Sequence, residues 1–109
     1  MFPFIMMFVG LGILFLLIAI PLIQQRVKPN AIYGFRTPKT LSDSRIWYKA
    51  NQFSGKQFYR SGLTLIFAAF TLALVPGIHK EVYAIGCVTV LSVELIRNVL
   101  VSFRFLRTL

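Results

Sequence analysis

The sequence predicts an all-α integral membrane protein with three transmembrane helices and a cytoplasmic amphipathic surface helix between the first two. Three observations predict this class: 57% of the 109 residues are hydrophobic, the mean hydropathy is +0.74, and the charges lie between apolar segments. A chain this short and this apolar cannot bury its apolar surface in one small soluble core. The lipid bilayer is therefore its expected solvent.

Most of the positive charge lies in one segment. Eight of the twelve Lys and Arg residues fall between Arg26 and Arg60, whereas the first 25 residues contain none. By the positive-inside rule, such a segment marks the cytoplasmic side of a membrane protein. The net charge of +9 then reflects topology, and we expect contact with anionic lipid headgroups and no nucleic-acid partner.

Three apolar segments are candidate transmembrane helices. Residues 2–23 are 22 residues without a charge, and residues 61–78 are 18 more. At ~1.5 Å per residue the first segment is about 33 Å long, enough to cross a hydrocarbon core of ~30 Å. The third segment, about residues 82–103, includes Glu94 and Arg97. With the basic loop inside, the N-terminus lies outside and the C-terminus in the cytoplasm. The whole chain, 1–109, is expected to form one membrane domain.

The basic segment, residues 24–60, combines a loop and a helix. Lys28 to Leu41 is rich in Pro, Gly, Asn and Thr, which favour turns. Ser42 is a candidate N-cap, and the stretch from there to Arg60 has helical periodicity, with basic residues on one face and apolar residues on another. We expect this helix to lie on the inner membrane surface.

The loop contains a candidate anion-binding group around Arg36. Two hydroxyl residues follow it, Thr37 and Thr40, and it is preceded by Gly34, which can take a positive φ. An Arg with neighbouring hydroxyls suits a lipid phosphate or a carboxylate. The alternative is a folded turn in which Arg36 caps carbonyls or pairs with Asp43.

Along the surface helix, Trp47, Asn51 and Gly55 recur every fourth residue and so lie on one side. A small glycine beside an amide and an indole suits close packing better than lipid. We therefore interpret this side as a docking strip for the loop or for a partner helix. The alternative is that the helix only anchors the chain at the membrane surface.

The third span carries a polar group, Glu94, Arg97 and Asn98, on one broad face. Glu94 and Arg97 are three residues apart and can form an ion pair. Counted from Val82, Glu94 lies about 18 Å deep, in the inner half of the bilayer. Ionisable groups at such depth are costly and indicate function by default. A structural ion pair is the alternative interpretation.

The sequence offers no catalytic or metal-binding set. The single cysteine, Cys87, lies in an apolar segment, and the single histidine, His79, has no second ligand residue beside it. The three acidic residues and this histidine lie in separate segments, so they form no catalytic group. We expect no enzyme activity, no cofactor and no metal.

The loop and the helix after it carry a more specific pattern, which resembles in order and spacing the signature of the bacterial SdpI family. The resemblance covers about residues 28–62. The residues that carry it are Asn30, Tyr33, Gly34, Phe35, Arg36, Thr37, Pro38, Thr40, Trp47, Asn51, Gly55 and Lys56.

This resemblance implies a multi-pass protein of the bacterial cell membrane, here a short, single-module member. The member that gives the family its name protects producing cells from a secreted peptide toxin of the SdpC type and relays the toxin's presence to a membrane-recruited repressor. The expected function is therefore toxin immunity, a form of bacteriocin resistance. The expected partners are a peptide toxin and a cytosolic regulator. The Arg36 loop with Trp47, Asn51 and Gly55 would form a platform on the cytoplasmic side. The Glu94/Arg97 pair would offer polar contacts to a peptide lying between helices.

Two other functions stay open. One is a small transporter or proton-linked permease in which Glu94 titrates. It requires a homo-oligomer, because three helices enclose too little space for a substrate path. The other is a membrane scaffold whose basic helix recruits an acidic cytosolic partner or anionic lipid.

Overall fold

The computed structural model describes residues 2–109, and over that range the chain is all-helical, without a strand. Its elements, in order, are α1 (Phe2–Ile23), α2 (Pro38–Ser42), α3 (Ser44–Ala73) and α4 (Lys80–Leu106). The three long helices run along one elongated body of 52 × 23 × 18 Å. The all-α class is thus confirmed.

The long helix α3 is central and antiparallel to both of its neighbours. On one side, Gly62 of α3 lies against Gly12 of α1. On the other, the ring of Phe53 of α3 stacks on that of Phe105 of α4, with centroids 4.2 Å apart. By contrast, α1 and α4 barely touch each other. The bundle is therefore a row of three helices with a gap between its outer two.

Glycines set the close approach of α1 and α3. A Cβ added to Gly62 would lie 2.7 Å from the carbonyl oxygen of Gly12, and one added to Gly55 would lie 3.2 Å from that of Ala19. Larger side chains at Gly62 would have to push the helices apart. Small residues at helix crossings serve the same purpose in membrane proteins generally.

The buried core lies near the N-terminal end of α1, and most other large apolar side chains face outward. The Tyr83 hydroxyl donates to the Ala69 carbonyl at 2.9 Å inside this core. Among the outward residues, Phe67 is 73% exposed. Such a surface is incompatible with water but natural against lipid. The core consists of Phe8, Leu65, Ala69, Tyr83 and Cys87.

Two helices, α1 and α4, are long and apolar enough to cross a membrane. The helix α3 does not meet that test. It ends at Ala73, so even its last 18 residues include both Lys56 and Arg60. The predicted second span, 61–78, therefore extends too far as a helix. Residues 74–79, which include Pro76 and Gly77, form the connection to α4.

The predicted separate surface helix is wrong, because residues 44–73 form one continuous helix of 30 residues. That stretch contains no proline, and its glycines pack against α1 instead of ending the helix. Asp43 is the N-cap, with its Oδ1 accepting from the Arg45 N–H at 2.8 Å. Ser42, the predicted cap, instead ends the short helix α2.

Candidate functional site

The loop between α1 and α2 folds around the side chain of Asn30. Its Oδ1 accepts from the backbone N–H groups of Ile32 at 2.8 Å and Tyr33 at 2.6 Å. Its Nδ2 donates to the carbonyls of Lys28 at 2.7 Å and Tyr33 at 3.0 Å. One amide thus satisfies four backbone groups that no regular element pairs, which gives the loop a defined shape.

Two side chains of α3 hold this loop against the bundle. The Trp47 Nε1–H donates to the Val27 carbonyl at 2.8 Å. Asn51 accepts from the Phe35 N–H at 2.6 Å, and its Nδ2 donates to the Trp47 carbonyl at 2.9 Å and the Phe35 carbonyl at 3.3 Å. Both side chains are buried. We call residues 28–37 the docked loop.

Gly34 is required where the docked loop meets α3. Its φ is +113°, and an added Cβ would lie 2.6 Å from the Asn51 Oδ1 and 3.3 Å from the Trp47 ring. Both the conformation and the space exclude a side chain. Glycine at this position therefore allows the backbone to reach Asn51.

The end of the docked loop passes into α2 through a capping box. Thr37 is the N-cap, accepting from the Thr40 N–H at 3.1 Å, while the Thr40 hydroxyl oxygen accepts from the Thr37 N–H at 2.7 Å. Pro38 follows at the first helical position, where its missing N–H costs no hydrogen bond. Lys39 then donates to the Leu106 carbonyl of α4 at 2.9 Å. This hydrogen bond fastens α2, which follows the docked loop, to α4.

Tyr33 ties the docked loop to α1, because its hydroxyl donates to the Ile18 carbonyl. Burial of the phenol disfavours its charged form and raises the pKa of Tyr33 above its ordinary value. The neutral donor is therefore the stable form in the folded protein.

Arg36 stands apart from these contacts. Arg36 is exposed, and its side chain makes no hydrogen bond or ion pair within residues 2–109. Asp43, the partner considered from the sequence, lies 4.0 Å from Arg45 instead. The docked loop thus presents a guanidinium to its surroundings, while the polar side chains of Asn30, Tyr33 and Thr37 bond within the protein.

A second cluster, which we call the polar network, joins α3 to α4. Arg97 Nε lies 3.2 Å from Glu94 Oε2, which also accepts from the Ser61 hydroxyl at 3.0 Å. Arg97 further donates to Gln57 at 3.0 Å and to Asn98 at 3.2 Å. Asn98 Nδ2 donates to the Ser61 hydroxyl oxygen at 2.8 Å and closes the network.

The polar network lies opposite the middle of α1. Phe58 of α3 packs edge-on against Phe15, with ring centroids 4.3 Å apart, and Gly62 contacts Gly12. The Glu94 and Arg97 side chains are 16% and 30% exposed. Each charge is thus compensated in place, although one side of the pair stays open to the surroundings.

Three of the five residues of the polar network were predicted from the sequence. Glu94, Arg97 and Asn98 stood out because charges are rare in apolar segments. Ser61 and Gln57 did not, because a serine and a glutamine are common beside a basic loop. Their spacing of four residues on α3 was the available signal.

Most of the predicted site residues therefore fall into two groups that the structure keeps apart. The docked loop gathers Asn30, Tyr33, Gly34, Trp47 and Asn51, and the polar network gathers the intramembrane residues. Gly55 belongs to neither, since it packs against Ala19 and Leu22 of α1. Within residues 2–109, no three His, Cys, Asp or Glu side chains come together as a metal site would require.

A pocket of about 500 Å³ lies between the two groups, bounded by the docked loop, α1, α3 and α4. Its walls are mostly apolar. The residues that line it are Ile18, Leu22, Ile32, Tyr33, Gly34, Phe35, Ser54, Phe58, Leu95, Asn98, Val99, Ser102 and Phe103.

Comparison with known proteins matches this part of the chain to one family. The SdpI/YfhL protein family matches residues 26–103, which contain the docked loop and the polar network. The uncharacterised protein YfhL of Bacillus subtilis (strain 168) is 42% identical over 36 residues, 33% of this chain and 33% of YfhL. The match thus spans a third of that relative's length. No solved structure matches the chain.

Proposed function

Because this chain belongs to the SdpI/YfhL protein family, we propose that it is an immunity protein that protects its own cell from a secreted antimicrobial peptide of the SdpC type. The observation that carries the proposal is the family match over residues 26–103. The matched residues include the whole docked loop, and that loop is held in shape by residues that resemble the family signature. The chain is a membrane protein, and its place of action would be the bilayer that the peptide attacks.

We further propose that the chain crosses the membrane three times. The Gln52 side chain donates to the Ile23 carbonyl at 3.0 Å, so the last turn of α1 lies level with Gln52. From Gln52 to Ala73, α3 would extend about 33 Å, the length needed to cross the hydrocarbon core. Lys56 and Arg60, both exposed, would reach back to the inner interface along their apolar stems.

In this arrangement the docked loop faces the cytoplasm, the N-terminus lies outside and the C-terminus lies inside. The concentration of Lys and Arg in residues 26–60 supports this orientation. It predicts which added cysteines react in intact cells with a membrane-impermeant maleimide, in a Cys87→Ala background. His79→Cys should react and Thr108→Cys should not, and the opposite pattern would refute the orientation.

The exposed guanidinium of Arg36 is the group we propose for contact with the peptide. It can bind a carboxylate or the peptide's C-terminus through two parallel hydrogen bonds. Trp47 and Asn51 would act indirectly, because they hold the loop in the shape that presents Arg36. The open side of the Glu94/Arg97 pair would offer a second polar contact to a peptide lying along α4.

The test is survival of a sensitive bacterium that expresses this chain and is challenged with an SdpC-type peptide. An unrelated pore-forming peptide serves as the control challenge. Selective protection is expected. No protection by a chain shown to be inserted would contradict the immunity proposal and favour transport or scaffolding.

Arg36→Ala should then reduce protection at an unchanged level of inserted protein. Arg45→Ala is the matched control, since Arg45 is a nearby arginine whose side chain is 88% exposed. Equal protection by the two variants would show that Arg36 is not needed for protection, and it would not contradict the immunity function.

A further inference from the structure

The pocket between the docked loop and the bundle opens toward lipid. It exists because α1 and α4 each pack on α3 but barely on each other. The docked loop closes the gap at one end, where Ile32 is 91% exposed. Along the gap, Val99 and Phe103 of α4 are half exposed. An apolar molecule from the acyl-chain layer can therefore enter from the side.

One polar group in this pocket has no partner. Ser102 is 4% exposed, and its Oγ makes no hydrogen bond within residues 2–109. A hydroxyl on a lipid-facing helix usually donates to the carbonyl four residues back, as Thr89 does to Ile85 at 2.7 Å. Ser102 does not do so, and a buried unpaired hydroxyl is costly. Its environment suits a ligand that brings a hydrogen-bond acceptor.

Two arginines stand beside the mouth of the pocket. Arg104 and Arg107 line a neighbouring recess that shares Val99 and Phe103 with the pocket. Both are exposed, and neither side chain has a hydrogen bond or ion pair to any part of the described chain, 2–109. Along the helix they lie about 3 and 8 Å beyond Ser102. Positive charge therefore lies just beyond the hydroxyl, toward the end of α4.

We propose that this pocket binds an anionic glycerophospholipid. One acyl chain fills the apolar pocket, an ester carbonyl accepts from the Ser102 hydroxyl, and the phosphate lies between Arg104 and Arg107. This order of groups, from apolar to ester to anion, is the order in a glycerophospholipid from tail to head. The site is independent of the proposed immunity function, because it needs no peptide.

The single tryptophan of the chain makes the site measurable. Trp47 is buried, and its ring lies against Gly34, which lines the pocket. The full chain is reconstituted in phosphatidylcholine vesicles that contain a small fraction of either brominated phosphatidylglycerol or brominated phosphatidylcholine. Bromine quenches indole fluorescence at short range, so a brominated acyl chain bound in the pocket should quench the fluorescence of Trp47. With two arginines at the phosphate, the preference for phosphatidylglycerol should be on the order of tenfold at low salt.

Two variants locate the effect. Ser102→Phe fills the pocket, and Arg104→Gln/Arg107→Gln removes the charge, so each should bring the preference close to one. The matched controls at exposed positions are Ser92→Phe and Arg45→Gln/Lys49→Gln. Both should retain the preference for phosphatidylglycerol. If circular dichroism shows that Ser102→Phe is unfolded, the test rests on the Arg104→Gln/Arg107→Gln variant, whose substitutions lie at exposed positions. Equal quenching by the two lipids in the native chain, or a preference that survives the Arg104/Arg107 change, would overturn the proposal.

Discussion

Asn51 pairs with both backbone groups of Phe35, as a neighbouring strand would. Its Oδ1 accepts the Phe35 N–H at 2.6 Å, and its Nδ2 lies 3.3 Å from the Phe35 carbonyl oxygen. The same Nδ2 also donates to the Trp47 carbonyl at 2.9 Å. A single buried amide thus joins an irregular loop to a helix, and the position of Arg36 beside Phe35 depends on it.

Replacing Asn51 with Leu should release the docked loop. The side chain keeps a similar size, but the Phe35 N–H and carbonyl lose their partners, at a cost of about 2–3 kcal/mol. Trypsin should then cut faster after Arg36 in the detergent-solubilised protein. The control is Lys49→Leu, which lies at an exposed position of α3, two residues before Asn51. Equal cleavage rates in Asn51→Leu and the native chain would contradict this role.

Gly34→Ala should destabilise the protein more than Gly77→Ala. Both glycines have a positive φ, +113° and +70°, so both substitutions strain the backbone. Only at Gly34 would the new Cβ also meet Asn51, whereas nothing lies within 4 Å at Gly77. Thermal unfolding in micelles measures the difference, which combines the clash with the greater strain of an alanine at +113°. An equal loss in the two variants would show that the loop can move away from α3.

Glu94 and Arg97 should be energetically coupled. Removing either one leaves the other charge without its main partner in a largely apolar environment. The Glu94→Leu/Arg97→Leu double variant should therefore lose less stability than the sum of the single variants. Because the side chains are 16% and 30% exposed, the coupling is expected to be moderate, about 1–2 kcal/mol. Additive losses in free energy of unfolding would show that the pair is incidental.

Stability should fall at high pH in part through Tyr33. Its pKa is raised in the folded protein by burial, so the unfolded chain releases this proton first. The stabilisation is fully present below the ordinary tyrosine pKa of about 10 and is lost as the pH rises through the folded pKa. Melting temperatures between pH 8 and 11 should decline less steeply in Tyr33→Phe than in the native chain. Tyr48→Phe is the control, and the same slope in Tyr33→Phe and the native chain would refute the prediction.

Several local features followed from the sequence because they depend on spacing within one segment. The ion pair between Glu94 and Arg97 forms as their separation of three residues predicts. Trp47 and Asn51 lie on one side of a helix and dock the loop, as their separation of four residues predicts. Gly34 takes the positive φ that the sequence analysis noted a glycine there could take.

Other features could not be predicted because they depend on which segments meet. The surface helix and the second span merge into α3, since packing of Gly55 and Gly62 on α1 favours a continuous helix across their boundary. Gln57 and Ser61 joined the polar network only because α4 lies beside them. The unpartnered Ser102 is defined entirely by its neighbours.

The sequence by itself determined that this is an all-helical chain rich in apolar residues with one basic segment, and it identified the family. Composition, charge distribution and residue spacing are properties of the chain before it folds. The tertiary structure decided that Arg36 is exposed while Asn51 is internal, and that a pocket remains between α1 and α4. Those outcomes depend on contacts between distant segments, whose free energies arise only when the three long helices are placed side by side.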